Sequence, residues 1–461
     1  MIRNLLVFCL AAASSSAWAA DGLLDMSFGI FSTGRNVLAL DQGGSNSDTL
    51  ADVLVAADGS IFLVGTAFGP GSASRYSITH LTANGLLDSE FGANGTVYSV
   101  PANVMARRAQ LDAAGNIVVV GEQKFAGTDR DFHLCRFNQQ GLTVPFPGIL
   151  SSCTSIAFDS VGGNLTDSPR DFIIEPNGKI VIAGIAGFSG TNDSAALARL
   201  SADGTPDASF GNTSNGKIKL SPAPGKINRF NAIARRPDGK FIAVGEYGDS
   251  ATQNGTTVLF ARLTGIGTLD PTFQAGVGFG GYAINQGDPF NRDDAATAIH
   301  LLPNGKILMA GIAKSGSSSV EEIEFVYRIL PADVINVDSP FGNNGSVLIG
   351  SGHSLELGDM LVQSDGKIVL LGTRRPTAAM ALEMYVVRLN ADGAVDFGGF
   401  GTGGRTIIDF LLPGELDFGV RAASQFGHII AAGHSLRSAP DNLDQTVARL
   451  GNDLIFADGL D

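Results

Sequence analysis

The stretch DMLVQSDGKIVLLGT, residues 359–373, reads as two strands around a tight turn. Asp365-Gly366 supplies the positive φ angles that a two-residue primed hairpin turn demands, with arms at 359–363 and 367–372. The second arm, IVLLG, is apolar on both faces. Inside an antiparallel sheet, such a strand requires a neighbouring sheet above and another below.

Outward from this hairpin the same phrase returns, placing its turn glycine at Gly59, Gly115, Gly178, Gly239, Gly305, Gly366 and Gly427, at spacings of 56, 63, 61, 66, 61 and 61 residues. The turns are Asp58-Gly59, Asn177-Gly178, Asp238-Gly239 and Asn304-Gly305, with Ala114-Gly115 and Phe426-Gly427 as degraded copies. The strands that follow are IFLVG, IVVVG, IVIAG, FIAVG, ILMAG and IIAAG. A fixed period of this length means an array of equal units, so domains are not counted by length here. In the sixth unit a strand at 345–349 opens, the hairpin follows, and 385–389 closes. Seven small sheets packed face to face fit a ring. The expected fold is therefore all-β, a seven-bladed β-propeller with four antiparallel strands per blade, spanning residues 20–450.

A second phrase, Leu-Asp-x-Ser-Phe-Gly, sits between units at 24–29, 87–92, 206–211, 269–273, 337–342 and 395–401. The last unit lacks it, whereas the chain ahead of the first unit holds a copy. This predicts that residues 22–29 lie beside the strand ending at Leu450 and close the ring. Arginine precedes the last apolar residue of the final strand at Arg136, Arg199, Arg262, Arg328, Arg388 and Arg449, with His80 in the first unit. The expected pairs are Arg199 with Asp207, Arg262 with Asp270, Arg388 with Asp396 and Arg449 with Asp25. A charge recurring in every unit is better read as a guanidinium–carboxylate clamp than as a ring of anion-binding arginines.

These residues carry a resemblance. LDxSFG, a spacer, DGKIVVAG-like hairpins and ARLNADG-like turns at about 60 residues resemble the delta-60 repeat family of bacterial exported proteins, best in SADGTPDASFG, DGKIVLLG and VVRLNADGAVD. The resemblance implies an exported β-propeller of unknown function and offers no catalytic residue to transfer. The tail at 451–461, with LIFADGLD, is similar to short acidic-aromatic endings of some exported bacterial proteins.

The amino end, MIRNLLVFCLAAASSSAWAA, has Arg3, an apolar run at 5–13 and small residues closing on Ala17, Trp18 and Ala19: the pattern of a signal peptide at 1–19. The run is too short for a bilayer crossing, which needs roughly 20 residues. The expected location is outside the cytoplasm, whether periplasmic, cell-surface or secreted, with no membrane insertion once the signal is removed. Cleavage leaves Cys135 and Cys153 in an oxidising compartment. A bridge between them would staple the second unit to the third; the alternative is two separate buried thiols.

A net charge of −14 with 60 glycines describes an acidic, turn-rich surface that repels nucleic acid and anionic lipid. The histidines, His80, His133, His300, His353, His428 and His434, are spread over different units with no two at metal-ligand spacing, and His428 stands where other turns carry lysine. Neither a nucleophile elbow nor a phosphate loop is present, and GVGFGG at 276–281 lacks the strand-to-helix setting of a nucleotide site. If the opening strands line the channel, Asp41, Asp159 and Asp409 are the carboxylates that could converge on Ca²⁺, although strand termination is their more ordinary role. No other cofactor is expected.

The loops between first and second and between third and fourth strands vary most and share one rim, the candidate binding face. These features favour an exported non-enzymatic module that binds a protein or glycan, or serves a structural role. With Trp18 removed, Tyr and Phe remain as stacking platforms for sugars. The alternative is a propeller hydrolase, lyase or lactonase with a channel-bound metal.

Overall fold

The computed structural model describes residues 21–40, 47–125, 127, 129–159, 166–188, 193–222, 224–248, 255–282, 294–314, 322–350, 353–376, 381–410, 416–436 and 442–451. The signal segment, Asp41 and the tail beyond residue 451 lie outside them. Among the described residues there are 28 strands and only three short 3₁₀ turns. Among these described residues no helix is long and apolar enough to cross a membrane.

The strands form antiparallel quartets in chain order. Thr49–Val55, Ile61–Phe68, Ser74–Leu81 and Thr96–Tyr98 make one; the sheets that begin at Ile227–Arg235, Ala295–Leu301 and His353–Val362 repeat the pattern. An eight-stranded sheet consists of two further quartets, beginning at Val104–Leu111 and Thr166–Ile174, joined through one parallel bridge between Thr166 and Arg130. The last sheet takes three strands from the carboxy-terminal region, Leu416–Gln425, His428–Leu436 and Leu443–Leu450, and its fourth, Arg35–Leu38, from the amino-terminal region.

Each quartet's first strand contacts the first strand of the next, and Leu416–Gln425 contacts Thr49–Val55. The doubly apolar strand explains the stacking. In Ile61–Phe68, Phe62 and Val64 pack with Ile117 and Val119 of the following sheet, whereas Ile61 and Leu63 pack with Ile430 and Ala432 of the last. All are essentially sealed from water, at about 2 kcal/mol of transfer free energy per large side chain.

The phase of the unit is corrected by these pairings. Ser346–Ile349, read from sequence as opening the sixth unit, pairs with Glu322–Ile329 and is the outer strand of the sheet before it. Leaving the Leu-Asp-x-Ser-Phe-Gly loop, the chain returns antiparallel beside the strand it has just left. The outer strands Cys153–Ile156, Ser346–Ile349 and Arg405–Ile408 each bury only their last residue, as an edge does. The channel side belongs instead to the strands that open each hairpin.

The same phase relocates the cysteines. Cys135 and Cys153 are joined by a disulfide and stand opposite one another on adjacent strands of one quartet, so the bridge fastens an edge strand and does not staple neighbouring units. Cross-linking residues 18 apart restricts the unfolded chain by about 3 kcal/mol. The C135A/C153A variant is expected to lose that amount in urea unfolding. Free thiols in native protein, found by mass spectrometry, would contradict the bridge.

Candidate functional site

The recurring arginine and the Leu-Asp-x-Ser-Phe-Gly phrase meet in every sheet where they were paired by sequence. Arg199 Nε lies 2.7 Å from Asp207, Arg262 Nε 2.7 Å from Asp270, Arg388 Nε 2.8 Å from Asp396 and Arg449 Nε 2.8 Å from Asp25. His80 takes the place with Asp88 at 2.9 Å. The phrase's other residues complete the clamp. Ser27, Ser209 and Thr272 donate hydroxyls to the Asp, and each guanidinium stacks on the phrase's Phe, as Arg199 does on Phe210 at 4.5 Å.

Sequence reasoning missed a third partner, the lysine after the turn glycine. Lys179 and Lys240 reach the same Asp207 and Asp270 carboxylates at 2.7 Å each, Lys306 reaches Asp338, the partner of Arg328, at 2.8 Å, and His428 stands 4.0 Å from Asp25. Its signal was the recurring lysine of the Asp-Gly-Lys turn. Burial pushes the Asp207 and Asp270 carboxyls up, but hydrogen bonds from these lysines and from Ser209 and Thr272 outweigh it and hold both well below the usual range. Both cations of each clamp are held by its buried carboxylate, the pattern of a structural device.

The channel is lined differently from the expectation. Of the three carboxylates proposed for it, Asp41 lies outside the described residues, and Asp159 and Asp409 follow outer strands, on the side away from the channel. Each hairpin's first strand carries a β-bulge, and the residue just past it is Asp52, Arg108, Asp171, Ala232, Ala298, Asp359 or Arg421 in sheet order. Acid and base alternate among them. Arg108 lies 3.6 Å from Asp52 and 3.1 Å from Asp171, and Arg421 lies 4.0 Å from Asp52.

Each of these acids also accepts a backbone N–H of the following sheet: Ala109 on Asp52, Ile233 on Asp171 and Ala422 on Asp359, at 2.9, 2.9 and 3.1 Å. They bind sheet to sheet. Burial would lower Arg108, but Asp52 and Asp171 outweigh it and hold its guanidinium above the ordinary range. A cavity of about 250 Å³ remains where Ala232 and Ala298 interrupt the alternation, lined by Asn231, Thr297 and His300 with Asp171, Asp359 and Arg421.

Two dyads sit between sheets. The Tyr385 hydroxyl donates to Glu324, whose carboxyl is pushed up to about 8 by burial, and Tyr76 bonds His133 at 2.9 Å. Glu324 is wholly shielded from solvent, so it offers no route to a substrate.

The arrangement with chemistry to spare lies on the variable rim, between the second and third quartets. A pocket of about 380 Å³ is lined by Arg107, Arg130, Arg170, Lys124 and a single carboxylate, Glu122. Arg107 donates to Glu122 Oε1 at 2.8 Å, Arg130 to Oε2 at 2.8 Å and Ser168 to Oε1 at 2.5 Å. Burial raises Glu122, but Arg107 and these hydrogen bonds overcome it and keep its carboxyl below the usual value. Arg170 is pushed down to about 10 by burial and then by the like charge of Arg107, and its Nε finds no acceptor. A larger cavity, about 770 Å³, opens on the opposite rim among the hairpin turns. Its one guanidinium, Arg328, is already held by Asp338 at 2.6 Å.

Comparison with known proteins agrees with this architecture. Residues 175–210, 236–273 and 363–396 match the family described as domain of unknown function (DUF5122) beta-propeller. The chain is a β-propeller. No curated protein matches it significantly. Among solved structures, the polysaccharide lyase Uly1 is similar at 10% identity over 87% of this chain and 89% of that one, with a TM-score of 0.46. Drosophila Semaphorin 1a, extracellular domains 1-2, is similar at 11% identity over 90% of this chain and 87% of that one, with a TM-score of 0.45. The matched segments support a propeller repeat family of unknown function, and the delta-60 name itself is not part of that match.

Proposed function

We propose that this protein is an exported, seven-bladed propeller, closed between the amino-terminal strand and the last sheet, that binds an anionic ligand on its variable rim. Export is supported by the charged, apolar and small-residue succession at 1–19 and by a disulfide, which persists in oxidising compartments. Residues 20–450 form the propeller and 451–461 a tail. Closure is supported by the pairing of Arg35–Leu38 with Leu443–Leu450 and by the packing of the first sheet against the last.

The observation that carries the binding reading is the pocket of Arg107, Arg130, Arg170 and Lys124 around Glu122. In a chain of net charge −14, four cations facing one carboxylate are a local excess that a carboxylate or sulfate group would satisfy. An acidic glycan or an acidic protein segment supplies such groups. The alternative, an enzyme with a metal in the channel, would draw on Asp52, Asp171 and Asp359, which are committed to guanidinium and backbone partners.

Calorimetric titration of the mature protein with a sulfated uronic-acid oligosaccharide tests the reading. Binding should weaken about tenfold or more in R170A and in R107A, as expected for a lost charge-assisted bond, and should fall with added salt. Binding indifferent to both substitutions would reject the pocket, and release of new sugar ends during incubation would favour the enzyme.

A further inference from the structure

Asp129 and Asp131 stand two residues apart at the start of the strand Arg130–Phe137, so both side chains leave the same face. Asp159 follows Cys153–Ile156, the edge strand paired with that strand. One oxygen from each of the three carboxylates lies within 4.8 Å of the others. Asp129 and Asp131 are only 9% and 8% exposed. Asp129 Oδ1, Asp131 Oδ1 and Asp159 Oδ2 are shielded from water, and no donor reaches them.

A buried carboxylate oxygen without a donor is costly, and three aimed at one another add mutual repulsion. Neighbouring groups relieve it only in part: the Lys217 charge favours the Asp131 carboxylate but is outweighed by burial and by Asp129, Asp167 and Asp159. Asp167, wholly buried beside them, has both oxygens occupied by the backbone N–H groups of Phe158 and Gly187, at 2.7 and 3.0 Å. Lys217 donates its ammonium to the Ala157 carbonyl.

We propose that Asp129, Asp131 and Asp159 bind a divalent cation of the Ca²⁺ type at the outer junction of the second and third quartets. Three carboxylates with no nitrogen or sulfur donor select a hard ion. Oxygens within 4.8 Å of one another can share one ion, and Ca²⁺ accepts such a set in a flexible shell at about 2.4 Å, whereas Mg²⁺ demands near-ideal octahedral geometry and gives up its waters reluctantly. Water and nearby carbonyls complete the shell. The Cys135–Cys153 disulfide fixes the register of the two strands that present the ligands, and the Thr166–Arg130 bridge brings the third quartet against them, so the ion would fasten both quartets at this edge.

The test uses the mature protein stripped with a chelator and titrated with CaCl₂, read by calorimetry and by melting temperature. The expected result is saturable binding with a dissociation constant of about 10⁻⁴ to 10⁻³ M and a rise in melting temperature. D131N, and independently D159N on the partly exposed residue, should each weaken binding at least about tenfold. Without calcium both variants should melt no lower than the wild type, because each removes a repelling charge; a carboxylate serving only the fold would instead lower it. No heat and no melting shift at about 10 mM CaCl₂, or a response unchanged in the D131N/D159N double variant, would overturn the proposal. Tighter binding of MgCl₂ than of CaCl₂ would overturn the ion assigned.

Discussion

Replacing Arg449 with alanine is expected to destabilise the protein by about 3–5 kcal/mol, the range for breaking a buried ion pair from one side. Its guanidinium donates to Asp25 at 2.8 Å, to the Ala83 carbonyl and Gln425 at 2.9 Å each, and to Ser27 at 2.9 Å, while stacking on Phe28 at 4.9 Å. Alanine leaves the buried Asp25 with the Ser27 N–H and hydroxyl on one oxygen and, as a cationic partner, only His428 at 4.0 Å. The His428 imidazole is itself held below its usual value, first by burial and then by the Arg449 charge, and removing that charge permits only partial compensation.

Arg449 differs from the other clamps in what it joins. Arg262 and Asp270 are eight residues apart, whereas Arg449 and Asp25 are 424 apart. Around the latter pair, Leu24 bridges Leu450, and the N–H of Gly22 reaches the carbonyl of Gly451 at 2.9 Å. Urea unfolding of R449A and R262A should show comparable losses from the clamp itself. R449A alone should also expose residues 21–38 to proteolysis under native conditions, because the segment is then held by fewer ties. Equal protease resistance in the two variants would remove the closing role assigned to this contact.

How much of this was legible in the sequence depends on the range of the interaction. The hairpin turns and doubly apolar strands are local, and they appear where Asp365-Gly366 and its counterparts placed them. The clamp was legible as well, because Arg388 and Asp396 are close in the chain and recur together. The unit's phase was not. Ser346–Ile349 can pair with the strand before it or lead the one after it, and only tertiary pairing decides. That one ambiguity displaced the channel, so Asp159 was read as facing inward when it sits at an outer edge beside Asp129 and Asp131. The alternation of Asp52, Arg108 and Asp171 was likewise hidden, since its members are more than 50 residues apart and differ in sign. The pocket around Glu122 combines Arg107 and Arg170 from two different quartets, and no local pattern announces such a meeting.

The glycine that ends each apolar strand was visible as a recurrence without a reason, and the bulges provide one. Gly65, Gly121, Gly184, Gly245, Gly311, Gly372 and Gly433 each pair with the residue just before a bulge, where the inner strand's carbonyl leans across. A Cβ on Gly245 would lie 2.0 Å from the Arg229 carbonyl oxygen, 2.9 Å from its carbon and 3.1 Å from the Asn231 nitrogen. All three are backbone atoms, so no side chain can swing aside. Relief requires moving the bulge, and with it Asn231, which donates to the Ala296 carbonyl of the next sheet at 3.1 Å.

Gly245→Val is therefore expected to cost about 4 kcal/mol, beyond the usual overpacking range because the obstruction is main chain. Gly245→Ala should cost somewhat less, partly offset by about 0.4–1 kcal/mol from the stiffer unfolded chain. Gly398→Ala, where a Cβ meets nothing within 4 Å, supplies the control and should be near neutral. Urea midpoints of the three variants measure the series. If Gly245→Ala unfolded at the wild-type midpoint, the recurring glycine would owe its place to something other than the bulge it faces.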